Sequence, residues 1–282
     1  MRPILSTAIV GVDIGPLAHR IDARWLMAYA AAVGEDDRRY FDTRRPDGPL
    51  AHPMFPVCYE WPAALALRAK TIPDDVAALG VHATHRLVTA RLPCAGDTVL
   101  TSARVIGVRR RNSGTLVTTR FTTVDEHGDA LTRTDHGSIY RGVGVDGNLE
   151  VEPSPPPARA DGHIAWTETV DVAANAAHVY TECARIWNPI HTDIAVARAA
   201  GLPGLILHGT ATLALALSRV FARDLPAKAT PPTEIAARFT GMVVVPSRFT
   251  VRRYDGADTG SIAFDAVDGD GRRVLVGGVL GA

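Results

Sequence analysis

The chain is poor in cysteine, and the cysteines it has are widely spaced. Among 282 residues only Cys58, Cys94 and Cys183 occur, and no two of them form a C-x-x-C pair. An odd number of distant cysteines argues against a disulfide framework and against a zinc site. The sequence therefore predicts a protein of a reducing compartment, and we expect it in the cytoplasm.

The chain also lacks an excess of either charge and a long hydrophobic run. Lysine and arginine total 30, and so do aspartate and glutamate. This balance gives no reason to expect nucleic acid or an anionic membrane surface as a partner. The most apolar stretch, residues 205–217, is shorter than a membrane span and contains His208 and two threonines. It predicts a buried helix and no membrane span.

What the chain does have is ample material for a core. Hydrophobic residues make up 46% and charged residues 21%, as in ordinary globular proteins. The clearest boundary is EVEPSPPPARADG, residues 150–162, where four prolines predict an extended linker. The linker divides the chain into residues 1–149 and 163–282, each near typical domain length.

Both halves repeat the same order of predicted elements. In the first half, helical spacing of apolar residues predicts helices over 23–34 and 59–70, and alternating segments rich in Val and Thr predict strands at 85–92, 97–108, 115–124 and 130–142. The second half predicts helices over 174–186, 193–201 and 209–225, and strands at 163–172, 235–245, 247–254, 261–267 and 272–280. Strands around one long buried helix predict an α+β fold, an antiparallel sheet wrapped around that helix, present twice by tandem duplication.

The most specific motif follows the predicted helix 174–186. Tyr180 stands eight residues before Asn188, the first residue of N-P-I-H, and the segment AAGLPGLILHG ends at Gly209. These residues resemble the signature of the MaoC-like, (R)-specific enoyl-CoA hydratase 2 family, whose fold is the hotdog. The repeat of elements resembles its double-hotdog subgroup. Residues 1–149 have no N-P-x-H, so the resemblance implies that they form a structural partner contributing to an acyl-binding tunnel.

This resemblance also implies an activity. Such proteins add water to, or remove it from, the α,β double bond of an acyl thioester carried on coenzyme A or an acyl carrier protein, with no metal and no redox cofactor. Their machinery is an Asp and a His that handle the water and the α-proton, and a backbone N–H that receives the thioester oxygen. A homodimer is expected by the same analogy.

Four residues are candidates for this chemistry. His191 is the expected proton-transfer residue, since an imidazole exchanges protons near neutral pH and the proline before it restricts the turn. Asn188 either orients His191 or a water, or simply begins the turn. Gly209, at the start of a buried helix, offers a backbone N–H to an enolate-like oxygen. The fourth candidate is Glu182, which is considered because the carboxylate of the family pair is absent from its usual position.

The carboxylate of the family pair is absent, because Ile186 stands two residues before Asn188. Glu182 lies one helical turn before Ile186 on the same predicted face and is the candidate substitute, while a solvated glutamate paired with Arg185 is the simpler alternative. Asp193 is interpreted as a negative residue in the first turn of a helix, outside the chemistry.

Three further residues, Tyr180, Trp187 and His208, are assigned to substrate binding, with core packing as the alternative for the two aromatics. His82 and His85, in GVHATHR, receive no role. Three functions stay open: a hydratase or dehydratase with a non-standard acid/base set, a thioesterase of the same fold, and a non-catalytic acyl-CoA-binding or structural subunit. Ile186 favours the last, and the joint presence of Asn188, His191 and Gly209 disfavours it.

Overall fold

The computed structural model describes residues 3–151, 162–225, 232–255 and 261–281. The predicted linker, residues 150–162, lies almost wholly outside the described residues. Within the described ranges, no helix combines the length and the apolarity needed to cross a membrane.

The helices and strands form an α+β fold, and the fold class predicted from the sequence is confirmed. The helices are α1 (Ala23–Ala32), α2 (Pro56–Thr71), α3 (Asp74–Ala77), α4 (Ala176–Ala184), α5 (Ile194–Ala199) and α6 (Gly209–Asp224). The strands of the first half are β1 (Ile4–Leu5), β2 (Asp13–Arg20), β3 (Gly80–Thr89), β4 (Thr98–Arg111), β5 (Gly114–Asp125), β6 (Ala130–Arg141), β7 (Gly144–Val145) and β8 (Leu149–Glu150). Those of the second half are β9 (Ile164–Val172), β10 (Glu234–Phe239), β11 (Ser247–Tyr254), β12 (Ser261–Asp268) and β13 (Arg273–Gly281).

These elements form two compact units whose segments interleave along the chain. Unit 1 comprises Met1–His19, Tyr59–Arg91 and Thr98–Pro156, and unit 2 comprises Arg20–Cys58, Leu92–Asp97 and Pro157–Ala282. The segment Arg20–Cys58, which includes α1, therefore groups with the C-terminal half of the chain. The boundaries of the two hotdog units, which the sequence places at residues 150–162, stay a prediction.

Unit 1 packs helix α2 against a sheet. Its strands run in the order β2-β4-β5-β6-β3, and the pairs β4–β5, β5–β6 and β3–β6 are antiparallel. The core joins Ala63 and Leu67 of α2 to apolar strand residues, each large one contributing about 1.5–3 kcal/mol through burial. Thr134 on β6 donates to the buried Glu60 carboxyl of α2 at 2.5 Å, so this face of β6 meets the helix.

Unit 2 has the same plan around α6. Its strands run β10-β13-β12-β11-β9, all antiparallel. The helix buries Leu213, Ala214 and Leu217 completely, as the sequence predicts. Helices α1 and α4 lie together, with the rings of Tyr29 and Tyr180 edge to face at 5.8 Å.

One predicted strand is shorter than its sequence pattern. The prediction for residues 235–245 fails after Phe239, where β10 ends. Gly241 lies so close to β13 that a Cβ there would come within 3.1 Å of the Arg273 carbonyl oxygen. The chain then pairs with another segment: the Leu207 N–H donates to Val243 at 2.8 Å, and the Val245 N–H donates to Leu205 at 3.0 Å. This short pairing fixes the backbone immediately before α6.

Candidate active site

The N-P-I-H turn follows an abrupt helix end. Arg185 has a φ of 58°, in the left-handed region, and the Ile186 N–H donates back to the Thr181 carbonyl at 3.0 Å. This bond pattern is that of a Schellman helix end. Residues Pro189–His191 then form a single 3-10 turn that begins at Asn188. The rigid bend expected from the sequence is present, with His191 at its end.

Arg185 occupies a conformation that usually favours glycine. Its guanidinium lies over the Trp25 ring, 4.1 Å from the centroid, and 3.5 Å from the Asp22 carboxylate. These contacts with the start of α1 compensate for part of the backbone strain. They also place α1 beside the turn.

Asp193 has a structural role. Its side chain caps α5 by accepting from the Ala195 N–H at 2.8 Å and the Val196 N–H at 3.2 Å. This is the ordinary use of an Asp at a helix N-cap. The interpretation of Asp193 as a helix-start residue is confirmed.

His191 is buried and neutral. Its side chain is 8% exposed, and Nδ1 lies 2.8 Å from the Ile206 carbonyl oxygen. A carbonyl accepts only, so Nδ1 carries the hydrogen and Nε2 carries the lone pair. Burial lowers the pKa of His191 to about 4, with the Ile206 carbonyl opposing the shift. At neutral pH the ring is therefore a base with one defined acceptor atom.

His208 lies directly against His191. The two rings are stacked, with centroids 3.6 Å apart and planes 25° apart. The Nε2 atom of His208 lies 3.3 Å from the Thr181 hydroxyl. Burial, then the neighbouring His191, holds the pKa of His208 well below its ordinary value, and the Ile186 backbone opposes this. Of the two rings, His191 is the more readily protonated.

Gly209 begins α6, directly after His208. The first N–H groups of a helix have no partner within the helix and carry its positive dipole end. Beside it, Tyr180 donates its hydroxyl to Thr210 Oγ1 at 2.9 Å, and the Tyr180 ring lies 4.9 Å from the His208 ring. The arrangement brings a neutral imidazole pair next to a helix N-terminus, which suits a reaction that develops negative charge on oxygen.

The remaining predicted residues lie elsewhere. The Glu182 side chain is at the surface, where it accepts a long hydrogen bond of 3.4 Å from Trp187 Nε1, and Trp187 itself is 58% exposed. Helix α4 ends at Ala184, so Glu182 and Ile186 do not share one helix face. Ile186, at the position of the family carboxylate, is buried. The structure therefore brings together His191, His208, Tyr180 and Gly209, but not Glu182 or Trp187.

Unit 2 contains a second buried polar group that sequence reasoning missed. The Met54 N–H donates to His52 Nδ1 at 3.0 Å, so the hydrogen of this ring is on Nε2, which faces Ser218 Oγ at 3.3 Å and Glu35 at 3.5 Å. Burial lowers the pKa of His52 to about 3 and raises the pKa of Glu35. Ser218 donates to the Ala214 carbonyl at 3.1 Å. The network ties the segment 35–52 to α6. The only sequence signal for it was a serine on an apolar helix.

Comparisons with known proteins agree with this architecture. Residues 160–258 match the MaoC-like domain, and residues 8–134 match the FAS1-like dehydratase domain region. Peroxisomal multifunctional enzyme type 2 of Drosophila melanogaster is 26% identical over 247 residues, covering 80% of this chain and 40% of that protein. The chain thus spans well under half the length of this curated relative.

Solved structures extend the likeness to the whole fold. A MaoC-like dehydratase from Phytophthora capsici superposes with a TM-score of 0.84 at 20% identity, covering 97% of this chain and 95% of that one. HtdX of Mycobacterium tuberculosis gives 0.71 at 21% identity, covering 96% and 99%. A third structure, also from Mycobacterium tuberculosis and described as a double hotdog fold, gives 0.61 at 18% identity, covering 96% and 95%. The chain has the double-hotdog fold, with a MaoC-like domain matched over residues 160–258 and a FAS1-like dehydratase domain region matched over residues 8–134.

Proposed function

We propose that the protein adds water to, or removes water from, the α,β double bond of an acyl thioester at the site around His191 and Gly209. The observation that carries the proposal is the buried, neutral His191, whose Nδ1 is bonded to the Ile206 carbonyl so that Nε2 is the base. The match of residues 160–258 to the MaoC-like domain supports the reaction class, and a MaoC-like dehydratase has the same fold. The thioester carrier, coenzyme A or an acyl carrier protein, and a homodimeric assembly belong to the same proposal.

The dehydration step balances with one histidine. His191 Nε2 removes the α-proton of a 3-hydroxyacyl thioester, and the electron pair moves onto the thioester oxygen, which accepts a hydrogen bond from the Gly209 N–H. The enolate then collapses to the α,β double bond as the bond between Cβ and oxygen breaks. The leaving hydroxyl takes the proton from the imidazolium and departs as water. Hydration is the reverse.

A shuttle of this kind does not need the carboxylate that Ile186 replaces. Without the carboxylate the reaction rate is expected to be lower, because a positioned acid or base accelerates a reaction by about 10²–10⁴-fold. We therefore expect a slower enzyme than a relative with a complete Asp and His pair. Glu182 has no part in this scheme, since its carboxylate lies at the surface.

The neighbouring residues position the base. His208 supports the His191 ring by stacking at 3.6 Å and is itself held by Thr181. Tyr180 uses its hydroxyl on Thr210, so we assign it to shaping the start of α6. Asn188 is assigned to orienting the water or the turn. Trp187 and the contribution of residues 1–149 to an acyl tunnel stay predictions.

The alternative is a thioesterase of the same fold, in which water attacks the thioester carbonyl instead of the β-carbon; the matched MaoC-like domain favours the dehydratase, and the buried Ser218 does not supply a nucleophile for hydrolysis. A serine nucleophile needs a histidine that accepts its proton. His52 faces Ser218 with the nitrogen that carries hydrogen, because Nδ1 already accepts from the Met54 N–H. This pair is therefore a structural network in the described fold.

The decisive experiment follows two signals at once. Purified protein is incubated with trans-2-enoyl-CoA substrates of several chain lengths, recording the absorbance of the conjugated double bond and the release of free thiol. We expect loss of the double bond without thiol, and a His191→Gln variant lower in kcat/KM by at least about 100-fold.

The matched control is His127→Ala, a histidine whose side chain is 77% exposed and whose loss should leave the rate unchanged. Thiol release without double-bond loss would establish the thioesterase instead. An unchanged rate in His191→Gln would remove His191 from the chemistry.

A further inference from the structure

Strands β3 and β6 of unit 1 bring three histidines to one face. His85 lies opposite His136 in the antiparallel register, so their side chains point to the same side. His82 is three residues before His85 and would ordinarily point to the other side, because side chains alternate along a strand. The register shifts by one residue between His82 and Thr84, so that His82 lies opposite Ser138. This bulge returns His82 to the face of His136.

The three rings lie close enough to share one ligand. One ring nitrogen from each histidine lies within 4.8 Å of the others. The His82 and His136 rings are stacked, with centroids 3.8 Å apart, and the His85 ring stands 5.4 Å from His82 at a steep angle. Three nitrogens on a tetrahedral Zn²⁺ lie about 3.4 Å apart. Binding an ion therefore requires the nitrogens to move closer together, which the soft rotation about the Cβ–Cγ bond of a stacked ring allows.

The nitrogens are in the chemical state that a metal requires. His85 is 2% exposed, and among the residues that the structure describes neither of its ring nitrogens has a hydrogen-bond partner. Buried polar atoms without partners destabilise a fold and point to a missing ion or water. His82 Nε2 lies 3.0 Å from the Thr84 carbonyl, so it donates there and Nδ1 carries the lone pair. Burial lowers the pKa of His85 to about 3 and of His136 to about 4, which keeps both rings neutral.

We propose that His82, His85 and His136 bind one divalent transition-metal ion, of which Zn²⁺ is the representative. Three imidazole nitrogens with an open fourth position form a ligand set that Zn²⁺ accepts, and imidazole also suits Cu²⁺ and Ni²⁺. The sequence argument against a zinc site considered the cysteines alone, whereas this site consists of histidines. All three ligands belong to unit 1 and none of them is a residue of the candidate active site, so this proposal does not depend on the proposed function.

The test titrates the full chain, freed of metal by a chelator, with Zn²⁺ in a calorimeter. We expect one bound ion per chain, and a loss of affinity of at least about tenfold in each of His82→Gln, His85→Gln and His136→Gln. Two matched controls, His127→Ala and His191→Gln, should bind as the wild type does. The second control separates this site from the histidine pair of unit 2.

A second readout covers variants that fail to fold. Co²⁺ added to the wild-type chain should give the visible absorption of nitrogen-ligated cobalt, and Zn²⁺ should displace it and raise the thermal midpoint of the wild type. The proposal is overturned if the wild type takes up no ion, or if the three variants bind Zn²⁺ as tightly as His127→Ala does. Loss of binding in His191→Gln alone would move the site to unit 2.

Discussion

Acid is expected to destabilise the protein through His191, at pH values where the folded ring is still uncharged. Burial lowers the pKa of His191 to about 4, whereas the unfolded chain keeps a value of about 6.5. Between these values the unfolded chain binds a proton that the folded chain does not. The free energy of unfolding therefore falls as the pH falls from about 6.5 to about 4.

The magnitude follows from the distance between the two pKa values. From pH 7.5 to pH 5 the loss through this one ring is about 2 kcal/mol, since each unit below 6.5 is worth about 1.36 kcal/mol. Burial also lowers the pKa of His52 and His85 to about 3 and of His136 to about 4. Glu60 acts in the opposite direction, because burial raises its pKa to about 7. The contribution of His191 is therefore measured as the difference between the acid-induced loss of unfolding free energy in the wild type and that in a variant without this ring.

Urea unfolding at pH 7.5 and pH 5 measures that difference. The wild type should lose about 2 kcal/mol more than His191→Gln does over this interval. An NMR titration of the imidazole C–H signal that the variant lacks should place its midpoint near pH 4. A midpoint at or above 6.5, or an equal acid loss in both proteins, would refute the reasoning. Either result would show that burial does not keep this ring uncharged in the folded chain at mildly acidic pH.

Substitutions at three positions test other parts of the site. Glu182→Gln should leave the hydration rate unchanged, because this carboxylate is at the surface beside Trp187; a large drop in kcat would return Glu182 to the chemistry. Arg185→Gly should unfold with about 1 kcal/mol more free energy than Arg185→Ala, since both lose the guanidinium and only alanine keeps the strain at a φ of 58°. Equal stabilities in urea would show that the left-handed backbone costs nothing there. Asp193→Ala should cost about 1 kcal/mol of unfolding free energy through loss of the α5 cap, and no change in the urea midpoint would contradict the cap.

The position of Glu182 could not be predicted correctly from the sequence. The inference that Glu182 faces the position of the missing carboxylate assumed a helix continuing through Ile186. The helix ends at Ala184, and the left-handed Arg185 redirects the chain. A non-glycine residue gives no local signal of this conformation, because its stabilising contacts come from Trp25 and Asp22, far away in the sequence.

The sequence by itself determined the order of most of the longer helices and strands, the two long buried helices and the rigid turn before His191. These features depend on the period of apolar residues and on proline, which act over a few neighbouring residues. The tertiary structure alone decided that residues 20–58 group with the C-terminal half, that His208 stacks on His191, and that a bulge joins His82 to His85 and His136. Each of these depends on packing between segments distant in the chain, and the local pattern of a sequence carries no record of which distant segments meet.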